Sequence, residues 1–329
     1  MKRIIDKVDI LGIIGLSKNS GKTTTLNAIL KLYQDIKIGL TSIGLDGEDL
    51  DQVNFLPKPK ISVSKGMVVA TASSCLETIK ASYKILEHTK MPSALGNILI
   101  VEIITDGYMV IAGPTTNKEL NQVIRLMKKY VDKIFIDGAF NRRTFANIEV
   151  IDGIILAAGA AEGPDMAQTI KKTKMIVDFF NLKKSYQFKK IPSASLIVQS
   201  KFGLYNFNNK KIETLKKILK TTNTEIDWVY IKGAITSKYI DLFTQKMMMG
   251  FSLICDDPTK LLISQHEFLN MTKLKIDIST IHTCPLLCVT INPFSPSGNH
   301  YDEKEFMNEM RKAIELPVYN VMKMEEEYV

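Results

Sequence analysis

The stretch Gly15-Leu16-Ser17-Lys18-Asn19-Ser20-Gly21-Lys22-Thr23 decides the fold of this 329-residue chain. It follows an apolar run, residues 8–14, that predicts a buried strand, and it precedes a helical spacing of apolar residues over 24–32. A glycine-rich turn between strand and helix aims successive backbone N–H groups and the positive end of the helix dipole at one anion. This stretch, called the glycine loop below, therefore predicts a phosphate-binding loop.

The residue types of the glycine loop predict separate roles. Lys22 would reach the β- and γ-phosphates, and the Thr23 hydroxyl would ligate Mg²⁺. Gly21 lets the backbone approach the ligand. Five residues separate Gly15 from Gly21, one more than in the common form of this loop. The predicted phosphate-binding residues are Gly15, Ser17, Lys18, Asn19, Ser20, Gly21, Lys22, Thr23 and Thr24.

Acidic residues follow two further predicted strands. Residues 37–43 predict a strand, and four acids fall within the next segment, 46–51. Loops at the carboxyl ends of such strands face the ligand, so Asp46 and Asp49 are candidates to bind Mg²⁺ or to position an attacking water. A solvated acidic turn is the alternative.

The apolar run 134–136 ends at Asp137, which would accept from the water shell of Mg²⁺ beside the small Gly138. Arg142 and Arg143 follow, and either steady a phosphate or are ordinary surface charge. The sequence thus predicts catalytic roles for Lys22, Asp46 and Asp49. It predicts metal ligation by Thr23, Asp46 and Asp137.

Alternating strand and helix patterns predict an α/β fold, with a mostly parallel sheet flanked by helices and a second α/β portion at the C-terminus. The lysine-rich, aperiodic stretch 181–190 predicts a boundary. We therefore expect a nucleotide-binding domain over 1–185 and a C-terminal α/β region over 186–329, for which partner binding is one role. More locally, we expect a hairpin around residues 65–66 and a turn at Asp106-Gly107. We expect a helix from Ser73 or Ser74 to 88, a helix starting near residue 164, and helices over 117–130, 237–247, 259–270 and 302–315. We expect strands over 133–137, 151–158, 227–232, 250–255, 286–292 and 317–321.

Composition restricts the classes of partner. The net charge is +8, but only five of the 43 basic residues are arginines, and the lysines are scattered along helix faces. This pattern favours a solvated basic surface over a nucleic-acid site. Four irregularly spaced cysteines do not form a disulfide framework, and no signal peptide or bilayer-spanning run is evident. We expect a cytoplasmic protein that binds neither nucleic acid nor membrane.

Four segments together carry a resemblance to a known family. They are the glycine loop with Thr24-Thr25, the run 41–48, the run 57–72, and Ile136-Asp137-Gly138-Ala139 with Arg142-Arg143. The chain resembles the nucleotide-binding subunit of the lysine 5,6-aminomutase reactivases, P-loop NTPases whose glycine-loop length is that of the dethiobiotin-synthetase-like branch. The resemblance implies ATP (or GTP) and Mg²⁺ as ligands, and a second reactivase subunit and the aminomutase as partners. It also implies a chaperone role, in which nucleotide hydrolysis lets damaged adenosylcobalamin leave the mutase.

Two alternatives remain open at the level of sequence. A ligase like dethiobiotin synthetase, which phosphorylates a carboxylate or carbamate, fits the loop spacing and the run Asp137-Gly138-Ala139. A regulatory GTPase is the other. The chain has no Asn-Lys-x-Asp motif for guanine, which favours ATP.

Overall fold

The computed structural model describes residues 1–17, 19–34, 36–43, 60–138, 150–209, 212–221, 225–245, 250–295, 298 and 300–323. The described strands are β1 Ile10–Gly15, β2 Ile38–Ser42, β3 Ile61–Val63, β4 Val68–Ala72, β5 Tyr83–Ser93, β6 Gly96–Ile103, β7 Gly107–Met109, β8 Lys133–Asp137, β9 Gly153–Gly159, β10 Lys183–Lys184, β11 Leu196–Ser200, β12 Gly203–Phe207, β13 Ile226–Ile231, β14 Ile235–Thr236, β15 Ser252–Cys255, β16 Leu261–Leu262, β17 Asp277–Thr280, β18 Leu286–Asn292 and β19 Val318–Asn320. The described α-helices are α1 Lys2–Ile5, α2 Lys22–Lys31, α3 Ser73–Leu76, α4 Asn117–Met127, α5 Met166–Phe180, α6 Ile212–Thr221, α7 Ser237–Gln245, α8 Gln265–Lys273 and α9 Glu303–Ala313.

A nine-stranded sheet carries the first unit of the fold. Its strand order is β19-β18-β9-β1-β8-β2-β4-β6-β5, and every pair from β19 to β4 is parallel. Strands β6 and β5 add an antiparallel edge. Strands β1, β2, β4 and β9 are buried along their whole length, as expected of parallel strands covered on both faces. The predicted α/β fold with a mostly parallel sheet is therefore confirmed.

A six-stranded sheet carries the second unit, in the order β10-β17-β15-β13-β11-β12. Strands β13, β15 and β17 are parallel to one another, and the hairpin β11–β12 adds antiparallel strands at one side. Its packing includes a cluster of four buried residues: Ile197, Tyr230, Ile254 and Ile281.

The division of the chain differs from the expected boundary. The first unit comprises Met1–Lys174 and Cys284–Val329, and the second comprises Met175–Thr283. We expected 186–329 to form one C-terminal region. Instead, β18 and β19 return to the first sheet, where β18 pairs with β9. Both strands read as ordinary buried strands, and nothing in their sequence says which sheet they join.

Two local expectations in residues 61–93 are wrong. Residues Lys65-Gly66 do form a turn, but β3 pairs with β7 while β4 pairs with β2 and β6, so no hairpin forms there. The helix expected to reach residue 88 ends at Leu76, and 83–93 form the edge strand β5. A two-residue loop closed by Gly96, with φ of 94°, joins β5 to β6, and this pairing overrides the helical pattern.

The helix expected over 259–270 is also displaced. A short 3₁₀ helix, Pro258–Lys260, and strand β16 occupy its first part, and α8 begins at Gln265. Ser264 starts α8 by accepting from the Glu267 N–H, which forms a capping box. None of the described helices is long and apolar enough to cross a membrane.

Candidate functional site

The glycine loop joins the end of β1 to the start of α2. Strand β1 ends at Gly15, and α2 begins at Lys22 with Gly21 as its N-cap. Two loop residues have left-handed backbone conformations, Asn19 with φ of 65° and Gly21 with φ of 95°. Glycine and asparagine tolerate this region best, so the sequence suits a sharp reversal between strand and helix.

Close packing explains why two positions of this loop are glycine. A Cβ on Gly15 would lie 1.9 Å from Ser20 Oγ and 2.8 Å from Lys22 Cγ. A Cβ on Gly21 would lie 2.8 Å from the Cβ of Asn292, at the end of β18. The loop is therefore folded onto itself and against the carboxyl end of a neighbouring strand.

Lys22 folds back over the loop that precedes it. Its Nζ donates to the Ser17 carbonyl oxygen at 3.0 Å. Thr23 and Thr24 lie half-buried in the first turn of α2. The ammonium and the Thr23 hydroxyl thus stand at the N-terminal end of a ten-residue helix, where the dipole favours an anion.

A pair of buried threonines fixes α2 to the sheet. Thr25 Oγ1 lies 2.7 Å from Thr290 Oγ1 of β18, and both residues are about 1% exposed. Each hydroxyl satisfies the other in an apolar setting, where an unpaired one would be costly. The start of α2, and with it the glycine loop, is thereby held against β18.

Asp137 ends β8, which pairs with β1 on one side and β2 on the other. The Gly138 N–H donates to the Ile13 carbonyl at 3.0 Å, and the Ile43 N–H donates to the Asp137 carbonyl at 2.9 Å. The glycine loop and Asp137 therefore follow strands that are neighbours in the sheet.

The carboxyl of Asp137 is incompletely satisfied. Its Oδ1 atom is buried and accepts no hydrogen bond from the described residues. Burial raises the pKa of this carboxyl to about 6, against the opposing effects of the Lys22 charge and the Gly138 N–H. A buried carboxylate oxygen without a donor is a site that a hydrated Mg²⁺ would complete, so the residue fits the predicted ligand.

Ser20 presents a second buried polar atom of the same kind. The residue is fully buried, and its Oγ has no hydrogen-bond partner among the residues described. It lies inside the loop, against Gly15, while its carbonyl approaches Gly159 at the end of β9. Two unsatisfied buried oxygens therefore accompany Lys22 at one edge of the sheet.

Glu162 also contacts the loop, and sequence reasoning did not identify it. It lies between β9 and α5, is 6% exposed, and accepts from the Ser17 N–H at 3.1 Å. Lys172 Nζ of α5 donates to the Glu162 carbonyl oxygen. Burial raises the pKa of the Glu162 carboxyl to about 7, although Ser17, Lys22 and Lys172 all lower it. The one available signal was an acid within the small-residue loop 159–165.

Asn292, at the end of β18, also lies beside the glycine loop, and the sequence analysis did not predict it. Its carbonyl accepts from the Ala160 N–H at 2.9 Å, and its side-chain oxygen accepts from the Phe294 N–H at 3.2 Å. The loop after β9 and the segment after β18 are thus joined beside the glycine loop. The carboxyl ends of β1, β8, β9 and β18 together build the candidate site, as is usual in open α/β sheets.

Several predicted residues lie outside the described part of the chain. These are Lys18, Asp46, Asp49, Arg142 and Arg143, whose roles stay predictions. Within the described ranges, no cluster of three or more His, Cys, Asp or Glu side chains could hold a metal ion. Of the three predicted metal ligands, Thr23 and Asp137 lie within the described ranges, and the role of Asp46 stays a prediction.

The chain was compared with known protein families, curated proteins and solved structures. A scan against protein-family models and searches of curated proteins and of solved structures found no match. The functional assignment therefore depends on the geometry of the site and on the sequence patterns above.

Proposed function

We propose that the first unit is a P-loop NTPase that binds Mg-ATP at the glycine loop and hydrolyses it. The observation that carries this proposal is the buried, unsatisfied oxygen of Asp137, a carboxyl on which the Lys22 charge acts. A lone carboxylate of this kind is unfavourable unless a cation completes it. The positive charges of that cation and of Lys22 would repel each other unless a polyanion lay between them.

Each residue of the site has a role in this proposal that follows from its chemistry. Lys22 and the N-terminal end of α2 neutralise the β- and γ-phosphates, and the turn around Asn19 and Gly21 brings the backbone close to them. The Thr23 hydroxyl would ligate Mg²⁺, and Asp137 would accept from its water shell. When bound, Mg²⁺ would neutralise charge on the phosphates as water attacks. Asp46 or Asp49 is our candidate to orient that water.

The cellular role that we propose is that of a reactivating chaperone, and its support is the resemblance in sequence. With a second subunit, the chain would help a B12-dependent lysine 5,6-aminomutase exchange damaged adenosylcobalamin. Hydrolysis can drive such exchange only if the ATP and ADP states bind the mutase with different affinities. We propose the acidic segment 46–51 as the switch between these states.

The test is recovery of an inactivated aminomutase. We expect the purified chain, its partner subunit and Mg-ATP to restore turnover, and Lys22→Ala to restore none. Lys31→Ala removes the same charge from the far end of α2 and should behave like the wild type. Absence of recovery, together with ATP-dependent phosphorylation of a small carboxylate by the chain alone, would instead indicate a ligase.

A further inference from the structure

Glu162 is a buried acid held against the loop that we propose binds phosphate. Its carboxylate accepts a hydrogen bond from the backbone N–H of Ser17 at 3.1 Å. The Glu162 residue is only 6% exposed, although Pro164 and Asp165 of the same loop are exposed. An exposed acid would be a solvated loop residue, but a buried one bonded to this backbone has a specific place in the site.

The charges that act on Glu162 come from two helices. Lys22 of α2 and Lys172 of α5 favour its ionised form, and burial opposes them strongly enough to raise its pKa to about 7. Lys22 also acts on Asp137 at the end of β8. The Lys22 ammonium therefore acts on two carboxylates before any phosphate is considered.

We propose that Glu162 is a built-in competitor of the nucleotide: its carboxylate holds Ser17 and part of the Lys22 charge, and a nucleotide binds when this carboxylate is neutralised or withdrawn. This inference rests on the proposed function. A nucleotide tail brings several negative charges to Lys22, and like charges in a site screened from water repel strongly. Ser17 is then released from Glu162.

Release of Ser17 has a defined structural consequence. Glu162 lies on the short loop 159–165, whose carbonyl at residue 162 is held by Lys172. A movement of Glu162 that shifts its backbone would therefore change this contact with α5, within the first unit. Nucleotide occupancy and the position of this loop become coupled, and the coupling operates in both directions.

The test is Glu162→Gln, which keeps an acceptor for Ser17 and removes the charge. Isothermal titration with Mg-ATP at pH 8 should show binding roughly tenfold tighter than in the wild type, within the usual range of coupling between sites. Glu162→Ala should also bind more tightly, which guards against poor folding of one variant. Glu77→Gln, at an exposed position on the same unit, should leave the affinity unchanged.

The dependence of nucleotide affinity on pH distinguishes competition by Glu162 from a purely structural role of this residue. Below pH 7 the Glu162 carboxyl is largely protonated and uncharged, so the wild type should approach Glu162→Gln in affinity. Above pH 7 the two should diverge, whereas protonation of the nucleotide and of Asp137 affects both equally. Equal or weaker binding by both Glu162 variants would overturn the inference and leave the proposed function standing. A wild type that binds no nucleotide would overturn both.

Discussion

At the scale of single residues, burial of the Asp137 carboxyl affects how the stability of the fold depends on pH. A carboxyl whose pKa is raised from 3.8 to about 6 by burial binds its proton more tightly in the folded chain. Its contribution to stability is present below pH 4 and is lost as pH rises through 6. At neutral pH the ligand-free protein therefore holds an unfavourable buried charge, which a cation would relieve.

Asp137→Asn should separate these two effects. At pH 8 we expect the ligand-free variant to be more stable than the wild type by about 1–3 kcal/mol, because no buried charge remains. The same variant should show a weaker dependence of nucleotide affinity on Mg²⁺, because one acceptor for the metal's water shell is lost. Urea unfolding and titrations with and without Mg²⁺ measure the two quantities. Asp132→Asn, an exposed acid just before β8, is the control and should change neither.

Some residues of the site could be predicted and others could not, for a physical reason. Gly15, Gly21, Lys22 and Asp137 follow from local patterns, since each is read from its own strand, loop or helix. Glu162 contacts Ser17 across 145 positions of the chain. Such contacts depend on which strands become neighbours, and no spacing rule in one sequence contains that information.

At the scale of elements, the glycine loop depends on how α2 docks on β18. The Thr25–Thr290 hydroxyl pair is buried, and each partner satisfies the other. Thr25→Val should cost about 1–3 kcal/mol, because it leaves the Thr290 hydroxyl buried without a partner. It should also weaken nucleotide binding, since the first turn of α2 carries Lys22 and Thr23.

A double-mutant cycle checks this prediction. Thr25→Val combined with Thr290→Val removes both polar groups and should recover much of the lost stability. Thermal melts of the wild type, both single variants and the double variant give the coupling energy. Additive losses would show that the pair does not hold α2 in place.

Elements were predicted best where the pattern was long and local. The helix predicted over 117–130 is observed as α4, and the strand predicted over 133–137 is observed as β8 with the same bounds. Strand β5 was mistaken for a helix because its partner, β6, decides its conformation, and its outer edge is exposed. A strand that depends on pairing rather than on alternating burial has no clear signature in the sequence.

At the scale of the whole molecule, the first sheet is built from distant parts of the chain. Strands β18 and β19 lie beyond residue 283 but pair beside β9, which is buried along its length. Residues 175–283 form the second unit between these parts. The sequence predicted two α/β portions, but it gave no information on which strands complete the first.

A truncated chain tests this arrangement. Residues 1–185, the domain expected from sequence, should fail to fold cooperatively, because the apolar side of β9 would lose β18. We expect binding of a hydrophobic dye, aggregation on size-exclusion chromatography and no sharp thermal transition. A monomeric fragment that melts cooperatively would contradict the pairing.

The central claim is that the glycine loop holds the phosphates of a Mg-nucleotide. Isothermal titration of the full chain with Mg-ATP, alongside Lys22→Ala and the control Lys31→Ala, tests it most directly. We predict saturable binding by the wild type and Lys31→Ala, and a loss of at least a hundredfold in affinity, roughly 3 kcal/mol, for a correctly folded Lys22→Ala. Equal affinity in all three proteins, or no heat of binding in any, would contradict the account.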